Sequence, residues 1–137
     1  VSCVLVFAGL DPSGGAGLLA DAETVRAFGL RPLCVATALT VQTTARAVRF
    51  EPVSPELVLE SARALLAEED VGAVKIGMIG SGAVGRAILA ALEGARVPIV
   101  LDPVLAASSG AALLEPGGLP ALLELLQGAI ATPNAPE

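Results

Sequence analysis

The chain has 137 residues, 14 Asp and Glu against 8 Lys and Arg, no His, Trp or Tyr, and is 54% apolar with only 2% aromatic side chains. That size and that aliphatic content describe one domain, while a net charge of −6 and a pI near 4.5 lack the clustered cations that nucleic-acid binding requires. Mean hydropathy is +0.76, yet the longest uncharged run, Pro32 to Ala45, has 14 residues and is too short to cross a bilayer.

No basic segment or cleavage site marks the opening residues, so no secretory signal is expected, and a Val in first place leaves the natural start open. Apolar β-rich runs then alternate with stretches of helical period, the pattern of βαβ units around a mostly parallel sheet buried on both faces. Ser2 to Ala8 reads as the first strand, Gly9 to Gly14 as a turn, and the following helix runs to about Phe28 and stops at Gly29. Leu33 to Ala38 reads as a second strand, and Ala45 to Phe50 as a shorter third one, an edge strand or hairpin arm. Ser54-Pro55-Glu56 supplies an N-cap, a proline at the first helical position and an early acid for a helix ending near Glu69. Val71 to Ile76 is a strand, Gly77 to Gly80 a turn, and Ser81 caps a helix that lasts until Gly94. Pro98 to Leu101 is a strand, Leu119 to Leu126 a helix closed by Gly128, and Ala129 to Ala131 one more strand. Ligands of open α/β sheets sit beyond the strand C-terminal ends, marked here by Gly9, Gln42, Gly77, Asp102 and Asn134.

Cys3 and Cys34 lack CxxC spacing, and without His no zinc or transition-metal ligand set is expected; a metal here would be a hard cation such as Mg²⁺. Both cysteines read as small core residues in a reducing cytoplasm. The loop from Ala8 to Gly17 reads either as a phosphate cradle or as a tight strand-to-helix turn, although it matches neither GxGxxG nor GxxxxGK[ST]. Asp21 shares the apolar face of its helix with Leu18 and Val25 and needs a donor there, from a ligand or from the protein. Glu23 and Arg26 read as a solvated surface pair. Gln42 offers both donor and acceptor edges, suited to a heteroaromatic ring or to loop backbone. Lys75, the only lysine, falls inside a buried strand, where it must snorkel to an edge or pair with a carboxylate such as Asp102. Met78 suits a flat ligand or the core. Asp102-Pro103-Val104 and Thr132-Pro133-Asn134 with Glu137 place acids and an amide at strand ends, where they can serve Mg²⁺ through water or act as turn and cap residues.

In order, the segments Ala8-Gly9-Leu10-Asp11-Pro12-Ser13-Gly14-Gly15-Ala16-Gly17 with Ala20-Asp21, Thr37-Ala38-Leu39-Thr40-Val41-Gln42, Lys75-Ile76-Gly77-Met78, Asp102-Pro103-Val104 and Thr132-Pro133-Asn134-Ala135-Pro136-Glu137 span nearly the whole chain. Together they resemble the N-terminal half of the hydroxymethylpyrimidine/phosphomethylpyrimidine kinase family of thiamine biosynthesis, within the ribokinase-like superfamily. The resemblance implies a truncated three-layer α/β/α fold, an ATP- and Mg²⁺-dependent phosphorylation of 4-amino-5-hydroxymethyl-2-methylpyrimidine or its monophosphate, a cytoplasmic location, and a homodimer in the full-length protein. It assigns Gly9, Asp21, Gln42, Met78 and Val104 to the pyrimidine pocket and Lys75, Asp102, Asn134 and Glu137 to the ATP and Mg²⁺ side. It also places the Gly-Thr-Gly-[Cys/Asp] loop, with its anion hole and base, in the other half, so that no residue here is the catalytic base and the chain alone is inactive. Ser108 stands where the family often has a lysine, Ala111 where an aspartate is common and Leu10 where a small polar residue is usual. The rival readings are a non-catalytic pyrimidine-binding module and a pyridoxal-type kinase of the same superfamily; a dinucleotide-binding oxidoreductase would want spaced glycines that are absent.

Overall fold

The computed structural model describes residues 2–137, with Val1 outside them. In chain order the elements are β1 (Cys3–Leu10), α1 (Gly17–Ala27), β2 (Arg31–Gln42), β3 (Ala47–Pro52), α2 (Pro55–Glu68), β4 (Val71–Ile76), α3 (Gly82–Ala91), β5 (Ile99–Leu101), α4 (Leu119–Leu126) and β6 (Ile130–Ala131). The strands of the described residues form one sheet in the order β3-β2-β1-β4-β5-β6. All pairings are parallel except that of β3, which runs antiparallel to β2.

Helices cover both faces, giving the expected three layers. Leu5, Phe7, Leu33, Val35, Val74, Ile76 and Leu101 of the sheet pack with Val58 and Ala62 of α2, Val84 and Ile88 of α3, and Leu122 and Leu125 of α4. On the opposite face Val6 and Ala8 meet Leu18 and Val25 of α1. Strand β1 is thus buried on both sides, which is why its sequence is an unbroken apolar run rather than an alternation.

Local chemistry sets the helix ends. The Ser54 hydroxyl accepts the Leu57 amide at 3.3 Å, with Pro55 at the first helical position of α2. The Ser81 hydroxyl accepts the Val84 amide at 3.1 Å at the start of α3. Helix α1 stops where Gly29 takes φ +74°, a left-handed turn that lets the Leu30 amide reach back to the Val25 carbonyl at 3.2 Å.

Two expectations need correction. Strand β2 spans 12 residues, well beyond Leu33 to Ala38, because its Thr40 and Val41 find partners in Phe50 and Arg49 of β3, and the β-branched shape of both suits a ladder. Cys3 is buried as expected, whereas Cys34 is exposed, since it falls on the opposite face of β2 from the core residues Leu33 and Val35. Between β1 and β2 the pairing passes from Ala8↔Ala36 to Gly9↔Ala38, which leaves Thr37 as an extra residue, a β-bulge. Fully buried, Thr37 donates its hydroxyl to the Met78 carbonyl at 2.5 Å.

From β1 the chain moves to β2 and β3 on one side and returns through α2 to β4 on the other. The order therefore reverses between β1 and β4, and a crevice opens beyond their carboxyl ends, the place where such sheets bind ligands.

Candidate functional site

The glycine-rich loop after β1 is organised by one carboxylate. Asp11, 3% exposed, accepts the Ser13 amide at 2.8 Å and the Ser13 hydroxyl at 2.7 Å on Oδ1, and the Ala16 amide at 3.1 Å on Oδ2. The last of these caps α1, whose own N-cap residue, Ala16, has no side chain to do so. Amides that a phosphate would need are therefore already bonded to an anion, and the loop is a strand-to-helix turn rather than a phosphate cradle. Gly17 takes φ +63° and pairs with Leu10; a Cβ there would run into the Gly9 carbonyl.

This compact turn leaves a cavity of about 280 Å³ at the switch point. Its walls include Gly9 of β1, Gly17 and Asp21 of α1, Thr40 and Gln42 of β2, Lys75 of β4, Gly77 and Met78 just after it, and Asp102 and Val104 after β5. A Cβ on Gly9 would lie 2.7 Å from the Met78 sulfur, so the glycine is what lets Met78 approach the strand end so closely. Thr40 donates its hydroxyl to the Leu10 carbonyl at 2.8 Å, which joins β2 to the start of the glycine-rich loop. All five residues assigned by resemblance to a pyrimidine pocket thus line this one cavity.

Lys75 also lines it, and its partner differs from the one expected. The ammonium sits 2.5 Å from Asp21 Oδ2, with side chains 25% and 23% exposed, rather than pairing with Asp102. Strand alternation explains the choice: Lys75 lies opposite Val6 of β1, whose side chain faces α1, so the lysine also points towards α1. A Cβ on Gly77 would approach the Lys75 ammonium to 3.0 Å. Among the described residues no ion pair joins Glu23 to Arg26, and both are exposed.

A second cavity of about 490 Å³ adjoins the first and shares Asp11, Ala16, Gln42, Asp102, Val104 and Leu113 with it. It is lined further by Thr43, Thr44, Arg46, Ser108, Ser109, Asn134 and Glu137. Asn134 and Glu137 form a reciprocal capping box: Glu137 Oε2 accepts the Asn134 amide at 3.0 Å and Asn134 Oδ1 accepts the Glu137 amide at 3.2 Å. The other Glu137 oxygen accepts the Leu105 amide at 3.4 Å and ties the segment to the loop after β5. Burial pushes the Asp102 carboxyl above its usual range; Lys75 opposes that shift, and Glu137 and Asp21 add to it. Lys75 is therefore set among carboxylates, paired with one and acting at longer range on another. Of the four residues expected on the phosphate side, Asp102, Asn134 and Glu137 line this polar cavity, and Lys75 lines only the first.

Asp11, Thr40 and Leu113 belong to the crevice without having been singled out. Asp11 was legible as the acid of the Asp-Pro-Ser-Gly turn, and Thr40 as a neighbour of Gln42. Leu113 is brought in by a small hairpin in which Ala106 faces Ala112 and the Leu113 amide meets the Leu105 carbonyl at 2.9 Å, and no local pattern announces it.

The family model described as Phosphomethylpyrimidine kinase matches residues 11–137. The chain is 41% identical over 135 residues to hydroxymethylpyrimidine/phosphomethylpyrimidine kinase of Rhizobium meliloti (strain 1021), which covers 97% of this chain and 51% of that protein. To the protein of the same name from Aquifex aeolicus (strain VF5) it is 36% identical over 138 residues, 97% of this chain and 53% of that one. The crystal structure of phosphomethylpyrimidine kinase from Clostridium difficile 630 superposes with a TM-score of 0.90 at 35% identity, over 100% of this chain and 61% of that chain. A pyridoxal kinase from Staphylococcus aureus in complex with AMP-PCP superposes with a TM-score of 0.79 at 25% identity, over 98% and 49% of the two chains. The chain spans about half the length of the curated relatives it matches. Its layered sheet is the ribokinase-like fold, and the chain belongs to the phosphomethylpyrimidine kinase family.

Proposed function

We propose that this chain supplies the substrate side of an ATP-dependent kinase that phosphorylates the hydroxymethyl group of 4-amino-5-hydroxymethyl-2-methylpyrimidine or its monophosphate. The observation that carries the reading is the convergence of Gly9, Asp21, Gln42, Met78 and Val104 on one small cavity at the switch point of the sheet. An aminopyrimidine has a flat apolar body, suited to Met78 and Val104, and an edge of donors and acceptors, suited to Gln42 and Asp21. The adjoining polar cavity then lies on the side where phosphates would enter.

The donors there fit a hard cation. Asp102, Glu137 and the Asn134 amide supply oxygens around this cavity. Such a set suits Mg²⁺, an ion that keeps waters and takes phosphate oxygens as ligands. When bound with a nucleotide, Mg²⁺ neutralises charge on the transferring phosphate. The protein groups named here hold and orient; none stands as the catalytic base, and the chain alone is proposed to bind the pyrimidine without turning it over. A small-molecule substrate, no nucleic acid partner, a cytoplasmic setting and a homodimer of the full-length enzyme complete the proposal. Among the described residues no helix is long and apolar enough to cross a membrane.

Calorimetric titration of the chain with the hydroxymethylpyrimidine tests the reading. Binding without ATP is expected, with at least a tenfold loss in Gln42→Ala, equivalent to about 1.4 kcal/mol; unchanged affinity in that variant would count against it. The likeness to a pyridoxal kinase favours one alternative, a pyridoxal-type site, and competition between the two ligands separates them: a clear preference for pyridoxal overturns the pyrimidine assignment. Turnover of the pyrimidine to give ADP by this chain alone would overturn the division of labour between binding and catalysis.

A further inference from the structure

We infer that Lys75 is a positioning residue of the substrate side, which acts on a ring ligand by holding the Asp21 carboxylate, and that the pair selects for ligands presenting an N–H donor. The inference rests on the pyrimidine reading above and goes beyond it, since resemblance alone assigned Lys75 to the phosphate side. Three observations carry it. The ammonium contacts Asp21 Oδ2 at 2.5 Å across a sequence separation of 54 residues. Both side chains are about three-quarters covered and open onto the cavity that Gln42, Met78 and Val104 line. Among the described residues no other hydrogen bond reaches the Asp21 carboxylate, so Oδ1 is left as an acceptor.

The charges around the cavity show why the lysine matters. Four ionisable side chains line it: Asp11, Asp21, Lys75 and Asp102. Asp11 is committed to the loop amides and the Ser13 hydroxyl. The Lys75 ammonium therefore offsets Asp21 at contact and Asp102 at longer range. A carboxylate on a helix face that packs against a sheet is costly without a counter-ion, and α1 itself supplies no donor to Asp21. With Lys75 in place, Asp21 is held at a fixed point on the wall. A carboxylate only accepts hydrogen bonds, so the ring edge that meets it must donate, as an exocyclic amine does and a phenolate oxygen does not. Gly77 belongs to the same device, because a side chain at that position would crowd the ammonium.

A positioning role through Asp21 predicts non-additivity, the signature of two residues acting as one unit. Lys75→Met and Asp21→Asn are each expected to weaken binding of the hydroxymethylpyrimidine at least tenfold and to narrow its preference over pyridoxal; the double variant is expected to be no weaker than either single one. Calorimetric titration of the 137-residue chain reads affinity, and thermal melts followed by circular dichroism read the coupling of the pair in stability. Should Lys75→Met fail to fold, the double variant, which leaves no orphaned charge, replaces it and should bind like Asp21→Asn. Affinity within twofold of the unsubstituted chain in Lys75→Met, or losses that multiply in the double variant, would overturn the inference. If the unsubstituted chain binds and Gln42→Ala does not while Lys75→Met binds normally, the inference fails alone. If the unsubstituted chain binds no pyrimidine, the substrate reading fails and takes the inference with it.

Discussion

Gly9 is the residue at which conformation and cavity shape meet. A methyl group added there would stand 2.7 Å from the Met78 sulfur, and the thioether, being flexible, would yield by swinging away from the strand end. Gly9→Ala is therefore expected to lower stability by about 1 kcal/mol through overpacking, a shift of a few degrees in a melt followed by circular dichroism. Pyrimidine affinity should fall more steeply, by tenfold or more, because the displaced Met78 takes up space a ring would fill. Equal affinity in this variant would show that the ring does not lie on Met78. Asp11 makes the complementary point: one buried carboxylate does the work that a capping side chain at Ala16 and several turn contacts would otherwise share.

At the scale of elements, α2 and α3 begin with the same device in different surroundings. Ser54 is exposed and Ser81 is 6% exposed, and the Val84 amide that Ser81 accepts belongs to a fully buried residue. Ser54→Ala is expected to cost about 1 kcal/mol, and Ser81→Ala about 2 kcal/mol, because the orphaned amide has no water to turn to; urea titrations followed by circular dichroism compare the two. The start of α2 also carries an acid response. Its own backbone amide and the Ser54 hydroxyl hold the Glu56 carboxyl below its usual range. A carboxyl depressed by folding contributes stability that is full above the unfolded-state value, near 4.5, and is lost as the pH falls through the lower folded value. Melting temperatures of Glu56→Gln should therefore converge with those of the unsubstituted chain towards pH 3 and lie below them at pH 6. Element boundaries were largely legible from the sequence: β4 and α4 stand where hydrophobic runs and glycine stops place them, and Ser54 and Ser81 cap as their positions predict. The end of β2 is hidden in the sequence because Thr40 and Gln42 carry the polarity of the loop that follows, and only pairing with β3 reveals them as strand.

For the whole molecule, the arrangement of the crevice was legible to the extent that strand ends converge by topology, which is why residues as distant as Gly9 and Val104 line one cavity. What the sequence withheld was pairing at a distance. Lys75 had several carboxylates within reach of a parallel sheet, and the choice of Asp21 follows from which face of β4 the lysine occupies. Face depends on register, and register in this sheet shifts in three places, one of them the bulge at Thr37. Before it, Ala36 packs towards α1; after it, Ala38 packs towards Met78 and Leu113. Thr40 and Gln42 follow Ala38 at spacings of two, and Leu39 and Val41 are left about half exposed. The chemistry of the cavity is thus written in a reading frame. Loss of a single residue after the bulge, between Ala38 and Thr40, would exchange the faces beyond it, delivering Val41 to the crevice and Gln42 to solvent. A deletion at Leu39 is thus a far larger change to the binding surface than most substitutions within it.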